Sequence, residues 1–276
     1  MAKPLVSVIL CCYNEEKYIN QAIDSTLFQT YENIELIIVD DNSTDRTMEI
    51  CESYEDPRIR IYQKAKGQER GLAESRNLGV SKANGSYVVF QDADDVSYSD
   101  KVEKQVKAAE ENPEMRVVGC YLKIKKGDKS NILSFPESNK DIRRALNRSF
   151  NRNSIAGQVL LYPKWVMEKY PYRKKFRFMQ DYDQLYRLIE NEENVELFNV
   201  QEVLYDYILL DKGVKNNSDW PIYNYFVRKC KTYRQNGIKE PENLEEFKKR
   251  LSSSFIENVK WKIFHFLLKI KIKYID

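Results

Sequence analysis

Tyr87-Val88-Val89-Phe90-Gln91-Asp92-Ala93-Asp94-Asp95 is an apolar, β-branched run of strand type that ends in three carboxylates within four residues. Carboxylates at the carboxyl end of a strand lie where open α/β sheets bind ligands. Hard cations want oxygen ligands, and Mg2+ is usually held by one or two carboxylates while substrate phosphates complete its shell. The stretch therefore points to a divalent cation, Mn2+ or Mg2+, and a diphosphate-bearing substrate. An isolated Asp-x-Asp also ends strands as a solvated turn, so the neighbouring segments decide.

Outward from it, Val6 to Cys11 reads as a strand, and Tyr18 to Phe28, apolar at 18, 19, 22, 23 and 27, as a helix with one apolar face. The alternation continues with strands at 34–39, 59–62, 87–91 and 117–122 and helices at 44–54, 72–83 and 100–112. Strands alternating with helices predict an α/β fold, a doubly wound, mostly parallel sheet flanked by helices. Near-continuous apolar strands agree with burial on both faces. After residue 123 a polar stretch intervenes, then 159–162 reads as a strand, Pro163 opens a short helix, 181–191 reads as a helix, and strands at 195–200 and 204–210 complete the sheet. From Trp220 onward only helical patterns occur. The expected division is an α/β domain over 1–215 and a helical carboxyl-terminal extension over 216–276.

Of the chain's 276 residues, Lys248 to Asp276 holds eight Lys/Arg against Glu257 and Asp276, a net +6 within a total of +3. That asymmetry suits a basic tail on an anionic surface, and the body shows no basic groove for nucleic acid. Phe255 to Tyr274 mixes Trp261, Phe264, Phe266, Leu267 and Leu268 with five lysines. It reads either as an amphipathic helix on an anionic membrane surface or as a helix packed on the α/β domain or on a second copy; Lys269 to Lys273 alternates with period two, which weakens a helix there. Oligomeric state stays open. Five cysteines are scattered without Cys-x-x-Cys, against a disulfide framework or zinc site. The single histidine, His265, lies in the tail, so carboxylates must do the acid/base work. The run Leu5 to Leu10 flows into Tyr13-Asn14-Glu15 and reads as a strand, not a signal peptide, and no run is long enough to span a bilayer. A cytoplasmic chain is expected, with the tail offering a peripheral membrane contact.

Three further segments carry chemistry. Strand 34–39 ends in Asp40-Asp41-Asn42-Ser43-Thr44-Asp45, where a carboxylate can accept from a base N–H or a ribose hydroxyl, or only cap the following helix. Gly71 to Gly79 places Arg76 on the helix before the acidic strand, able to pair with a carboxylate or phosphate, or to make a surface salt bridge. Asp181 and Asp183 open a helix, where the helix dipole alone favours them.

In this order the segments resemble the family 2 glycosyltransferases of GT-A fold. The likeness begins at Val6-Ser7-Val8-Ile9-Leu10-Cys11-Cys12-Tyr13-Asn14-Glu15 and includes Asp40 to Asp45, Ser75-Arg76-Asn77-Leu78-Gly79, Ala83-Asn84-Gly85-Ser86-Tyr87, Asp92-Ala93-Asp94-Asp95 and Met179-Gln180-Asp181-Tyr182-Asp183. It implies inverting transfer of a sugar from a nucleotide-diphosphate donor, expected to be UDP-linked, to a hydroxyl of a glycan or lipid-linked acceptor, as in polysaccharide biosynthesis. Cys11, Tyr13, Glu15, Asp41, Arg76, Asp92, Ala93 and Asp94 would bind the donor, with Tyr13 stacking on the base and Asp41 accepting from it. Asp94 and Asp95 would hold the metal, Asp181 would be the general base and Asp183 structural. Two departures stand out: Gln180 where the family often has Glu, and Tyr205-Asp206-Tyr207-Ile208 where it commonly shows Tyr-Arg-x-His. Lys212 or Lys215 could supply the missing diphosphate contact, or sit in a solvated loop. The competing classes are aspartate-based phosphoryl transfer with Asp40 as nucleophile, a sugar nucleotidyltransferase, which lacks a Gly-rich amino-terminal loop here, and a catalytically silent sugar-nucleotide-binding protein.

Overall fold

The computed structural model describes residues 3–65, 67, 70–147, 154–210, 220–253 and 260–262. Its first half follows the alternation: β1 (Val6–Cys12), α1 (Ile19–Leu27), β2 (Ile34–Asp40), α2 (Thr47–Glu52), β3 (Ile59–Gln63), α3 (Leu72–Lys82) and β4 (Tyr87–Asp92). Every residue of β2 is buried, as expected of a parallel strand covered by helices on both faces. Helix α1 buries Ile19, Ala22, Ile23 and Thr26, the i, i+3, i+4, i+7 stripe. Gly79 lets α3 lie directly on β1: a Cβ there would stand 2.4 Å from Ile9 Cγ2.

The described strands form one sheet in the order β3-β2-β1-β4-β8-β6-β9-β5, where β5 is Val96–Ser97, β6 Arg116–Lys126, β8 Leu161–Pro163 and β9 Glu196–Ile208, with a further strand, β7 (Lys129–Leu133), paired to β6. β1 pairs in parallel with β2 on one side and β4 on the other, with Cys12 opposite Asp40 and Cys11 opposite Asp92. The chain thus leaves β1 in one direction and returns on the other side, the switch point where such sheets open a crevice at the strands' carboxyl ends. Both acidic segments end level with the β1 terminus.

The second half departs from the sequence reading. β5 (Val96–Ser97) follows the acidic segment and pairs antiparallel with β9. After α4 (Lys101–Ala109), the polar stretch holds an antiparallel hairpin, β6 (Arg116–Lys126) and β7 (Lys129–Leu133), then α5 (Asn139–Asn147). The two strands expected at 195–200 and 204–210 are one, β9 (Glu196–Ile208), parallel to β6 with register shifts beside Tyr121. β8 (Leu161–Pro163) is antiparallel to both neighbours. Its ladder to β6 has one register pair, Val118 with Leu161. The Gln105 side chain, 0% exposed, spans this join by donating to Val118 O at 2.9 Å and Val159 O at 2.7 Å.

Helices α6 (Lys164–Lys169) and α7 (Gln180–Asn191) precede β9, and α8 (Trp220–Gln235) and α9 (Leu244–Ser253) follow it. The extension shares the sheet's core: Phe226, Phe247 and Leu251 belong to the cluster that holds Phe90 and Tyr162. Phe226 stacks on Phe247 at 4.7 Å and meets Phe176 at 5.0 Å between ring centroids. In the tail, Trp261 lies 5.4 Å from the Tyr225 ring, and apart from 260–262 residues 254–276 fall outside the described ones. Among the described residues no helix is long and apolar enough to cross a membrane.

Candidate active site

The loops after β1 and β2 hold one another. Asn14, with φ 57, donates its N–H to Ser43 Oγ at 3.0 Å and accepts from Thr44 N–H at 2.8 Å, while Glu15 N–H reaches Thr47 Oγ1 at 2.8 Å. Asn tolerates this left-handed conformation better than most residues. Asp40 closes the other side of the turn: its oxygens accept Ser43 N–H at 3.1–3.2 Å and Gln63 Nε2 at 3.1 Å, and the residue is 0% exposed. It does not line the cavity, which removes it as the nucleophile of a phosphoryl transfer. Its neighbour Asp41 faces the cavity, with Lys64 Nζ 2.6 Å from Oδ1 and Gly71 N–H donating to Oδ2 at 2.9 Å. Arg70 lays its guanidinium 4.5 Å from the centroid of the Tyr13 ring.

A cavity of about 1820 Å3 opens at these strand ends, and Cys11, Tyr13, Glu15, Asp41, Arg76, Asp92, Ala93, Asp94 and Asp181 all line it. It exceeds the roughly 300–1,000 Å3 of a usual small-molecule pocket, room for more than one small molecule. Arg76, 4% exposed, pairs through Nη2 with Asp92 Oδ1 at 2.6 Å and lies 5.0 Å from the Phe90 ring. Asp94 has no ion pair among the described residues; burial, then the charge of Asp92, pushes its carboxyl up to about 6. Glu15 rises to about 7 through burial, then Asp94, Asp45 and Asp92. Burial pushes the Cys11 thiol up to about 12, so it offers no thiolate.

Asp92 and Asp94 make an all-oxygen donor set with charge left uncompensated at Asp94, which fits a hard divalent cation completed by substrate phosphates. No group of three or more His, Cys, Asp or Glu placed to hold a metal occurs among the described residues. Asp95, expected beside Asp94 at the metal, stands apart from the cavity wall: it is 0% exposed, accepts the Ile208 N–H at 2.8 Å and so joins the acidic turn to β9. Tyr205 of β9 supports the same turn, its hydroxyl accepting the Asp92 N–H at 3.2 Å.

Asp181 occupies the first turn of α7, behind Met179 in the left-handed region at φ 63. A non-glycine residue there costs of order 1 kcal/mol, and such strain gathers at functional sites. Burial raises the Asp181 pKa. A Cβ on Gly157 would stand 2.2 Å from Asp181 Oδ2, so the absence of a side chain at 157 makes room for this carboxylate. Asp183, two residues on and 0% exposed, ion-pairs with Arg173 and with Arg187 Nε at 3.0 Å. Gln180 is buried and also lines the cavity.

Residues 172–178 form the adjoining rim. Asn77 of α3 clasps Tyr172 by two bonds, Nδ2 to the carbonyl at 2.8 Å and Oδ1 from the N–H at 3.0 Å. Glu240 holds Arg173 and Lys175 at 2.9 and 2.5 Å. Phe178 meets Tyr223 edge-on at 5.4 Å. Lys174 and Arg177 stay exposed on the cavity rim. Tyr207, from the segment that lacks the Arg and His, lines the cavity, whereas Lys212 and Lys215 fall outside the described residues. Sequence reading gave no role to Lys64, Arg70, Asn77, Gly157 or Tyr205; Asn77 and Tyr205 lay in quoted segments, while no local pattern marks Lys64, Arg70 or Gly157.

The family model for glycosyl transferase family 2 matches residues 7–166. An uncharacterized glycosyltransferase of Haemophilus influenzae is 33% identical over 202 residues, 66% of this chain and 61% of its own length. The chain spans 48–61% of the length of the first curated relatives it matches. Among solved structures, S. aureus TarS 1–349 in complex with UDP superposes with TM-score 0.65 at 18% identity, over 87% of this chain and 68% of that one. The mannosyltransferase PcManGT from Pyrobaculum calidifontis, in complex with GDP-Man and Mn2+, gives 0.60 at 18%, over 87% and 66%. These likenesses fix the fold as GT-A.

Proposed function

We propose that this chain, which belongs to glycosyl transferase family 2, is a metal-dependent, inverting transferase that moves a sugar from a nucleoside-diphosphate donor to a hydroxyl of a glycan or lipid-linked acceptor. One observation carries the reading. Asp181, its pKa raised by burial, shares a single cavity with the Asp92 and Asp94 carboxylates. The nucleotide lies toward Tyr13 and Asp41, and Arg76 keeps Asp92 oriented. Asp94, with Asp92, would hold the divalent cation, which would supply positive charge against the growing charge of the departing diphosphate. Asp181 takes the acceptor hydroxyl's proton while that oxygen attacks the anomeric carbon opposite the leaving group, so configuration inverts. Burial makes Asp181 a stronger proton acceptor than a surface aspartate.

UDP is the expected nucleotide, and TarS and PcManGT were captured with UDP and with GDP-Man and Mn2+ respectively. The exposed Lys174 and Arg177 on the rim support an acceptor side distinct from the nucleotide side. The catalytic unit is assigned to residues 1–215 and the tail to a peripheral membrane or protein contact. Calorimetric titration with UDP, GDP and CDP, with and without Mn2+, tests the donor site. Mn2+-dependent binding of one nucleotide supports the transferase; binding of none removes it.

A further inference from the structure

The connection from β3 to α3 meets Asp41 from both ends. Lys64, just past β3 and 4% exposed, sets its Nζ 2.6 Å from Asp41 Oδ1. Gly71, at the start of α3, donates its N–H to Asp41 Oδ2 at 2.9 Å. The Gly71 N–H occupies one of the carboxylate's roughly four lone-pair positions, and the Lys64 ammonium stands ion-paired beside the other oxygen. Both fixed neighbours carry N–H groups, so acceptor lone pairs are what Asp41 offers the cavity. An ammonium taken out of water is costly unless it is paired and hydrogen-bonded, and this one is buried against a cavity-lining carboxylate.

Building on the donor site assigned above, we propose that Lys64 is a positioning residue that makes the base site selective. By fixing Asp41 as an acceptor, it selects nucleotides whose base presents a ring N–H, uracil N3–H or guanine N1–H. Cytosine N3 and adenine N1 are acceptors on the corresponding edge and set a lone pair against the carboxylate. A site built to accept a hydrogen bond rejects an analogue that lacks the donor, because its own polar group is then left desolvated and unpaired. Neighbouring Arg70, 4.5 Å from the Tyr13 ring, adds a sequence-tolerant stacking surface that favours no base by its edge.

The test is calorimetric titration of the full chain in Mn2+ with UDP, GDP, CDP, ADP and N3-methyl-UDP, for the unaltered protein, Lys64→Met and Lys64→Arg. UDP is expected to bind about ten- to a hundredfold more tightly than CDP or N3-methyl-UDP, the span of a hydrogen bond to a charged group. Lys64→Met is expected to bring the UDP-to-CDP ratio below about threefold, whereas Lys64→Arg, which keeps a donor, retains it. A general loss of stability lowers all affinities together and leaves that ratio unmoved, which separates positioning from mere support. Equal binding of UDP and N3-methyl-UDP by the unaltered protein overturns the proposal without needing a variant to fold. So does a folded Lys64→Met protein with an unchanged ratio, or a Lys64→Arg protein that loses it. If no nucleoside diphosphate binds at all, the donor-site reading itself fails, an outcome distinct from nucleotide binding without selectivity.

Discussion

At the end of the cleft proposed for the nucleotide, Asp41 and Asp92 stand at the ends of β2 and β4 already tied to buried cations, Lys64 and Arg76, at 2.6 Å each. At the end where α7 begins, Asp181 has no ion pair among the described residues and room made by a glycine, while Asp183 beside it takes up Arg173 and Arg187. On the function proposed above, the first end holds a ligand in one orientation and the second leaves one carboxylate basic. Identical side chains would then serve orientation or proton transfer according to whether the fold supplies a cation.

That contrast breaks most sharply at Asp181. Asp181→Asn is expected to lower turnover by about a thousandfold, within the range of lost general-base catalysis, with nucleotide affinity unchanged. Steady-state sugar transfer beside calorimetry checks both halves, and near-normal turnover would refute the assignment of the base. Gly157→Ala places a methyl group 2.2 Å from the present position of Asp181 Oδ2, and should cost on the order of a hundredfold in kcat while the protein stays folded. An alanine variant with unaltered kcat would mean that Asp181 has freedom the contrast denies it.

On the nucleotide side, Asp94→Ala should abolish the Mn2+-dependent part of donor affinity, about tenfold or more, leaving metal-free binding in place; titrations with and without EDTA separate the two. The smallest effect belongs to Glu240, which ties Arg173, Lys175 and Arg234 together and has a carboxyl lowered to about 2, chiefly by hydrogen bonds to Lys175 and Arg234 that outweigh its burial. Because the folded value lies below the unfolded one, its contribution is present above about pH 4.5 and fades toward pH 2. Glu240→Gln should therefore cost roughly 1–3 kcal/mol at pH 7 and less at pH 3, read from urea unfolding at the two pH values. Equal losses at both would show that the contribution of position 240 does not come from its charge.

The first half of the fold was legible because β1, β2 and β4 are largely apolar, buried runs and α1 carries an apolar stripe. The later half was not. β5 is two residues long, β7 is almost wholly exposed and carries no apolar pattern, and β8 takes its direction from neighbours far away in sequence. Helix α5 did leave a signal: Ser138, whose Oγ accepts the Asp141 N–H at 3.3 Å and donates to its carboxylate at 2.8 Å, begins a Ser-x-x-Asp start. Within the site, residue types at strand ends marked which carboxylates line the cavity. They could not mark Lys64, whose meaning depends on a contact across 23 positions, nor separate Asp94 from Asp95, neighbours that the turn sends to opposite sides.

Main-chain pairing is ordinarily indifferent to mutation, since any residue but proline brings the same amide and carbonyl. Where β6 meets β8 a side chain joins the ladder, because Gln105 Nε2 donates to the carbonyls of both Val118 and Val159. The join between the two halves of the sheet thus depends in part on the chemistry of one side chain. Position 105 should therefore tolerate almost nothing but glutamine in a library selected for folding, although it lies in a helix and touches no substrate.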